Sequence, residues 1–293
     1  MTLAWLLGSN RKLAKSKMEI LVQMKIPDES EPKGRLMTTT SPYSISRRGL
    51  LRLGALSVLT TAVSPMIRRD EVLAADEVCN PEAPRTPATA LTALIDGNAR
   101  WALGDQEHPG EDTDRRVCLA NHHQTPFASI LSCSDSRVPP ELIFDQGLGD
   151  LFVARVAGNT ASGRLIDSLL YGTNNLETPV LFVLGHSVCG AVTTAVNSFP
   201  KNHSLQFVNL IFPAVKQARA IVKKNGGNPN DPALVIPLAT NQNVLITVDR
   251  LRRQFRSQVN AGTLLVAGGV YDLGTQLVTV LTYTVGATAG LTQ

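Results

Sequence analysis

Two short apolar runs, at residues 127–131 and 180–184, constrain the fold of this chain most strongly. Runs of this length, bounded by small and polar residues, are typical of fully buried strands. The segment between them has helical spacing, so the sequence predicts parallel strands joined by a crossover helix. A cysteine and a carboxylate follow the first run, and a histidine and a second cysteine follow the second. Both groups are therefore expected at the carboxyl ends of neighbouring strands, where open α/β sheets build their sites.

The four residues that follow these runs, Cys133, Asp135, His186 and Cys189, are of types that bind zinc. Taken singly, each pair is weak evidence, because cysteine is among the most buried residue types and a histidine after a strand is more often a core residue. At the ends of two neighbouring strands, the two pairs together predict a zinc site.

The motif Cys-Ser-Asp-Ser-Arg at 133–137, followed by Gly-His-x-x-Cys-Gly at 185–190, resembles the signature of the β-class carbonic anhydrases. The resemblance covers roughly residues 85 to 285. It implies an α/β fold in which helices flank a central, mostly parallel β-sheet. It also implies that N-terminal helices pack on a partner subunit, in a homodimer or a dimer of dimers.

The resemblance further implies one zinc ion per chain, held by Cys133, His186 and Cys189, with water or Asp135 in the fourth position. Arg137 matches the arginine that pairs with that aspartate. Zinc lowers the pKa of bound water to roughly 7, which yields zinc-bound hydroxide that can attack CO2 at neutral pH. Asp135, held by Arg137, would accept the hydroxide proton in a hydrogen bond and orient a lone pair at the substrate. The expected reaction is the reversible hydration of CO2 to bicarbonate and a proton.

Five further residues are expected in or beside the substrate pocket: Gln146, Phe152, Val156, Gly158 and Gly190. Phe152, Val156 and Gly158 belong to a predicted strand and its end, in a Phe-Val-x-Arg segment similar to one in the family. Gly190 begins a predicted helix whose N-terminus would face the metal loop, and such an end attracts anions such as bicarbonate. Gln146 is expected to reach the site as a polar donor.

Two other functions fit the same motifs. A zinc hydrolase of carbonyl sulfide or carbon disulfide would use the same ligands. A non-catalytic protein, with zinc as a structural staple or bicarbonate as a sensed ligand, is the alternative from another class. The pair of Asp135 and Arg137 argues against the non-catalytic protein, because a purely structural zinc needs no such pair.

The charge of the chain is divided unevenly. Residues 1–74 carry 12 Lys/Arg against 6 Asp/Glu, which leaves 16 against 18 for residues 75–293. The sequence pI near 9.0 therefore reflects the N-terminal segment, and no nucleic-acid partner is expected for the rest.

Residues 1–75 are interpreted as a leader and residues 76–293 as the carbonic anhydrase-like domain. Arg47 and Arg48 precede 15 uncharged residues at 53–67, a segment too short to span a bilayer, and small residues follow at 74–75. This pattern favours a twin-arginine export signal at 37–75, with residues 1–36 a possible upstream extension. The protein is then expected in the periplasm or an equivalent exported compartment, with no permanent membrane anchor after signal removal. The alternative is membrane association through an uncleaved leader.

Outside the motifs, the spacing of apolar residues predicts an amphipathic helix at 88–103 and further helices at 205–224 and 241–258. The segment 105–124 is polar and is expected to be a loop. Residues 264–271 and 276–281 should form a hairpin-like pair. Cys79 and Cys118 lie outside the metal motifs, and the sequence leaves open whether they form a disulfide or two free thiols.

Overall fold

The structure, a computed structural model, describes residues 79–285 and 288–290. The leader at 1–75, with its twin-arginine segment, lies outside the described residues, and its interpretation stays a prediction. Within the described ranges, no helix combines the length and the apolar character needed to cross a membrane.

The helices of the described residues flank one sheet. They are α1 (Pro87–Leu103), α2 (Thr113–Asn121), α3 (Pro140–Ile143), α4 (Gly163–Asn174), α5 (Gly190–Ser198), α6 (Gln206–Lys224), α7 (Pro232–Gln254) and α8 (Arg256–Ala261). The strands are β1 (Ala128–Ser132), β2 (Leu151–Arg155), β3 (Val180–His186), β4 (Leu265–Tyr271), β5 (Val278–Val285) and β6 (Thr288–Gly290).

The strands form a sheet in the order β2-β1-β3-β4-β5-β6. The pairs β1–β2, β1–β3 and β3–β4 are parallel, whereas β4–β5 and β5–β6 are antiparallel. The predicted α/β class with a mostly parallel central sheet is therefore confirmed. The packing of N-terminal helices on a partner subunit stays a prediction.

The central strand β3 shows why the sheet carries helices on both faces. Its side chains alternate. Val180, Phe182 and Leu184 join the core under α1, α5 and α6, while Leu181 and Val183 join the core under α4, α7 and α8. All five are fully buried, and each such burial stabilises the fold by about 1.5–3 kcal/mol relative to exposure. A strand that is buried on both faces has an unbroken run of apolar residues in its sequence. That run is the pattern from which β3 was predicted.

Two predictions of local structure were wrong. The segment expected to be a loop contains α2, whose first turn is capped by the Asp112 side chain accepting a hydrogen bond from Arg115 N. No residue of α2 is buried, so the helix has no apolar face that periodicity could reveal. The helix expected to begin at residue 241 begins at Pro232, with Asp231 as its N-cap and Pro237 in its second turn.

Cys79 and Cys118 form a disulfide, which settles the alternative that the sequence left open. The bridge joins the start of the described chain to α2. Asp150 links the same two segments. Its Oδ1 accepts hydrogen bonds from Asn80 Nδ2 at 2.7 Å and from Arg115 Nη1 of α2 at 3.1 Å. The segment that enters the domain is thus fixed by one covalent bond and by a buried carboxylate.

Candidate metal centre

Two neighbouring strands deliver the candidate ligands to one edge of the sheet. In the parallel pair of β1 and β3, Ser132 lies opposite Leu184. Cys133 follows β1 directly, and His186 is the last residue of β3. Cys189 comes three residues later, as the N-cap of α5. The sheet register therefore brings the three side chains together, as the sequence predicts for the carboxyl ends of neighbouring strands.

The three side chains form a compact buried group. One ligand atom from each of Cys133, His186 and Cys189 lies within 4.8 Å of the others, and the two Sγ atoms are 4.0 Å apart. The residues are 4%, 1% and 1% exposed, in chain order of Cys133, His186 and Cys189. Two sulfurs and one imidazole nitrogen at this spacing are a donor set that suits zinc.

The orientation of His186 supports the same reading. Its Nδ1 lies 2.9 Å from Ser187 O, and because a carbonyl oxygen only accepts, Nδ1 carries the proton and donates. The lone pair of the imidazole is then on Nε2. Among the described residues this buried atom has no hydrogen-bond partner. A ring fixed by one nitrogen and left unpaired at the other is the arrangement that metal-binding histidines adopt.

The charge on the two thiols also fits a divalent cation. A hydrogen bond from the Cys189 thiol, aided by the N–H of Gly158, lowers the pKa of Cys133 well below the ordinary thiol value. The same pairing, together with burial and the charge on Cys133, raises the pKa of Cys189. The pair alone therefore accommodates one negative charge, and a bound cation would allow both sulfurs to be thiolates.

Asp135 is tied to Arg137 by a fork of hydrogen bonds at the mouth of the site. Arg137 donates from Nε to Oδ1 at 2.9 Å and from Nη2 to Oδ2 at 2.7 Å, and its backbone N–H also donates to Oδ1. The hydrogen bond from Arg137 holds the pKa of Asp135 well below its usual range, so the carboxylate is ionised at neutral pH. Its Oδ2 lies 3.9 Å from His186 Nε2, within reach of anything bound by the three ligands.

Arg155 holds the loop that carries Cys133 and Asp135. Its Nε donates to Cys133 O at 2.9 Å, and its Nη2 donates to Asp135 O at 2.6 Å. The sequence prediction included no role for Arg155 in the site. The pairing of β1 with β2 could have indicated this role. Arg155 is the last residue of β2 and lies opposite Ser132 of β1, so it lies beside Cys133, the residue that follows Ser132.

The second ligand loop is held by the neighbouring strand. Ser187 N donates to Tyr271 O at 2.8 Å, and Ser187 Oγ accepts from Leu273 N at 2.9 Å. The next residue, Val188, adopts a φ of 54° although it is β-branched, which costs on the order of 1–3 kcal/mol. Its carbonyl accepts a hydrogen bond from Arg137 Nη2 at 3.4 Å. The two ligand loops are thereby linked to each other.

Two of the five predicted pocket residues lie at the loops that carry the candidate ligands. Gly158 N donates to Cys133 Sγ at 3.3 Å, in a 3-10 turn at Ala157–Asn159. Its φ of 74° is a left-handed backbone conformation that other residues rarely adopt, which favours glycine here. Gly190 follows Cys189 and is the first residue of α5.

The other three predicted pocket residues differ in how close they lie to the candidate ligands. Phe152 packs beside Tyr171 of α4, with ring centroids 6.0 Å apart. Val156 N donates to Ser132 O at 3.1 Å and Val156 O accepts from Ser134 N at 3.3 Å, on either side of Cys133. Its side chain packs against the core beneath α4, α7 and α8. Gln146 donates from Nε2 to Phe144 O at 2.8 Å. The structure therefore places Val156 beside the loop of Cys133, whereas Phe152 and Gln146 make the contacts just given. The role of all three in a pocket stays a prediction.

Comparison with known proteins identifies the family. The family described as carbonic anhydrase matches residues 128–278. The carbonic anhydrase of Mycolicibacterium smegmatis is 36% identical over 193 residues, covering 64% of this chain and 89% of that protein. Carbonic anhydrase 2 of Mycobacterium tuberculosis is 40% identical over 138 residues, covering 45% of this chain and 66% of that protein, just under two thirds of its length.

A solved structure gives the class. The β-carbonic anhydrase of Coccomyxa, in complex with acetazolamide, superposes with a TM-score of 0.51 at 28% identity, covering 67% of this chain and 88% of that one. The chain belongs to the carbonic anhydrase family, in its β class, which confirms the resemblance drawn from the two motifs. The proteins of this family are lyases.

The buried trio predicts how the metal content responds to loss of one ligand. Purified protein should contain about one zinc per chain, and Cys189→Ser should lose most of it after dialysis, because a hydroxyl is a poor substitute for a thiolate ligand. Elemental analysis by mass spectrometry measures the content. The control is the double variant Cys79→Ser with Cys118→Ser, which removes the two disulfide-bonded cysteines without leaving a free thiol and should keep its zinc. Undiminished zinc in Cys189→Ser would show that the metal is bound elsewhere.

Proposed function

We propose that this protein catalyses the reversible hydration of CO2 to bicarbonate and a proton, with one zinc per chain as cofactor. The observation that carries the proposal is the meeting of the buried Cys133, His186 and Cys189 with the ionised carboxylate of Asp135, in a chain of the carbonic anhydrase family. A zinc site with a purely structural role would not need a carboxylate such as Asp135 held beside it by Arg137.

Cys133, His186 and Cys189 would hold the zinc ion, which when bound would lower the pKa of a water ligand to near 7 and so supply a nucleophile at neutral pH. The chain's own contribution is orientation. Asp135 is an acceptor only, because its carboxylate stays ionised, and it can therefore hold the proton of an attacking oxygen in a hydrogen bond. That bond turns the oxygen's lone pair toward the carbon of CO2, which raises the fraction of encounters in a reactive geometry.

Arg137 fixes the carboxylate that does this work. Its two parallel N–H groups match the two carboxylate oxygens, a geometry that sets the plane of the carboxylate as well as its charge. The product is an anion. The helix α5 begins at Gly190, beside the candidate ligand Cys189, and the positive end of its dipole favours negative charge in the site.

A single set of assays tests the function and the role of Arg137. The purified protein should hydrate CO2, measured by stopped-flow proton release, and should release sulfide from carbonyl sulfide much more slowly.

Arg137→Ala should keep its zinc while turnover falls by about 10–100-fold, as is typical when a group that orients a metal-site ligand or carboxylate is lost. Asp135→Asn should be similarly slow, because a neutral amide is a weaker acceptor for the proton.

The control for these variants is Arg253→Ala, which removes an exposed arginine paired with Asp249 on α7. An exposed ion pair of this kind contributes about 0–1 kcal/mol to the free energy of unfolding. Its removal should therefore leave turnover unchanged. A folded, zinc-replete Arg137→Ala protein with normal CO2 hydration would reject the orienting role. Faster turnover of carbonyl sulfide than of CO2 by the unmodified protein would reject the proposed reaction in favour of the sulfide-releasing alternative.

We further propose that the chain works as a homodimer or a dimer of dimers. The supporting feature is the edge of the sheet formed by β2. Near it, Leu142 and Leu148 are 44% and 49% exposed and line one surface pocket with Leu151 of β2. An edge strand flanked by exposed apolar side chains is a surface that self-association would cover.

We also propose that the protein is exported through its twin arginines to the periplasm or an equivalent compartment. Two features support this: the pattern of Arg47, Arg48 and the following apolar segment, and the Cys79–Cys118 disulfide. Disulfides form and persist in oxidising compartments, whereas the cytosol keeps thiols reduced.

The export proposal predicts that Arg47→Lys combined with Arg48→Lys retains the protein in the cytoplasm, because a twin-arginine receptor reads the guanidinium groups and not charge alone. Fractionation of expressing cells followed by immunoblotting measures the distribution. The matched control is Arg68→Lys with Arg69→Lys, a pair on the other side of the apolar segment, which should be exported normally. Normal export of the first variant would mean that Arg47 and Arg48 are not read.

A further inference from the structure

Asn243 is a buried polar residue of α7 that the proposed mechanism does not use. It is 3% exposed, and its Nδ2 donates to Gly158 O at 2.8 Å. The residues are 85 positions apart in the chain. An amide in a buried position is costly unless it is hydrogen-bonded, so the bond to Gly158 explains how Asn243 is tolerated. It does not explain why an amide is placed there.

Gly158 connects Asn243 to the metal centre. Its own N–H donates to Cys133 Sγ at 3.3 Å, while its carbonyl receives the amide of Asn243. The glycine is left-handed, with a φ of 74°, and an added Cβ would meet Ile211 at 2.7 Å and Ala191 at 3.1 Å. The two peptide groups that flank Gly158 thus point at a ligand sulfur on one side and at α7 on the other.

The glycine turn needs such a restraint because glycine loses more conformational freedom on folding than any other residue. The helix that supplies it is well anchored. At Gly185, just before the ligand His186, an added Cβ would lie 2.6 Å from Val244 Cγ2, so α7 packs closely on β3 there. Asn243 is the neighbour of Val244 and therefore extends from a rigid support beside the site.

We infer that Asn243 is a positioning residue for the Cys133 ligand, acting through Gly158 to aim an N–H group at Cys133 Sγ. Hydrogen bonds to a ligand sulfur change its donor strength and the electronic properties of the metal that it binds. The inference rests on the proposed zinc site but not on the proposed reaction. The simpler alternative is that Asn243 only satisfies the carbonyl of Gly158 and has no influence on Cys133.

The variant Asn243→Leu distinguishes the positioning role from the simpler alternative. Leucine has a similar volume but lacks the amide that donates to Gly158 O. Its zinc affinity, measured by competition with a chelator, should fall by about 10-fold, at the low end for groups that act on a ligand indirectly. In protein loaded with Co2+ in place of zinc, the thiolate-to-cobalt charge-transfer band should shift. Thr240→Val is the matched control: Thr240 is a buried polar residue of α7 whose hydroxyl donates only within the helix, to Ile236 O. It should change neither quantity.

The outcomes can be told apart. A folded Asn243→Leu protein with normal zinc affinity and an unshifted cobalt band would overturn the inference and leave the zinc site intact. Failure of the unmodified protein to bind zinc would reject the proposed function itself. If leucine prevents folding, Asn243→Ala takes its place with the same two measurements. Failure of both variants to fold, with Thr240→Val folding normally, would overturn the inference in favour of a purely structural role.

Discussion

The alignment of β1 and β3 is the constraint on which the rest of the site depends. Because these strands are parallel neighbours, with Ser132 opposite Leu184, the residues that leave each strand emerge at the same edge. Cys133 therefore lies close to His186 and Cys189 because the strands place it there, and the loops need not be long to bring the three residues together. A shift of one residue in this register would exchange the two faces of β3 and would also separate the candidate ligands. The buried core and the metal centre thus require the same alignment.

The ligand loops carry features that are unfavourable for folding alone. A pair of buried thiols shares one negative charge, an imidazole nitrogen is buried with no partner among the described residues, and Val188 has a left-handed backbone. Each costs free energy in the protein without a cation. Arginines and backbone groups from neighbouring elements hold these loops in place, notably Arg155 and Arg137. Binding of a divalent cation would offset the cost, which is the usual link between metal affinity and folding.

The sequence predicted those parts of the molecule that local patterns determine. Apolar runs identified β1 and β3, and the residues after them identified the ligands. The helix α2 was missed because it buries none of its residues, and the start of α7 was placed late. The disulfide could not be decided, since a pairing depends on the distance between two positions 39 residues apart. Arg155 and Asn243 were missed because their contacts exist only once β2 and α7 have docked beside the ligand loops.

The central claim is that the buried trio of Cys133, His186 and Cys189 binds the catalytic zinc. X-ray absorption spectroscopy at the zinc edge, on protein loaded with one zinc per chain, tests it most directly. Zinc bound by the trio should have two sulfur neighbours at about 2.3 Å and one imidazole nitrogen, with the remaining position filled by oxygen. A shell with only nitrogen and oxygen neighbours, or with a single sulfur, would contradict this assignment, because it would show that the two cysteines do not bind the metal together.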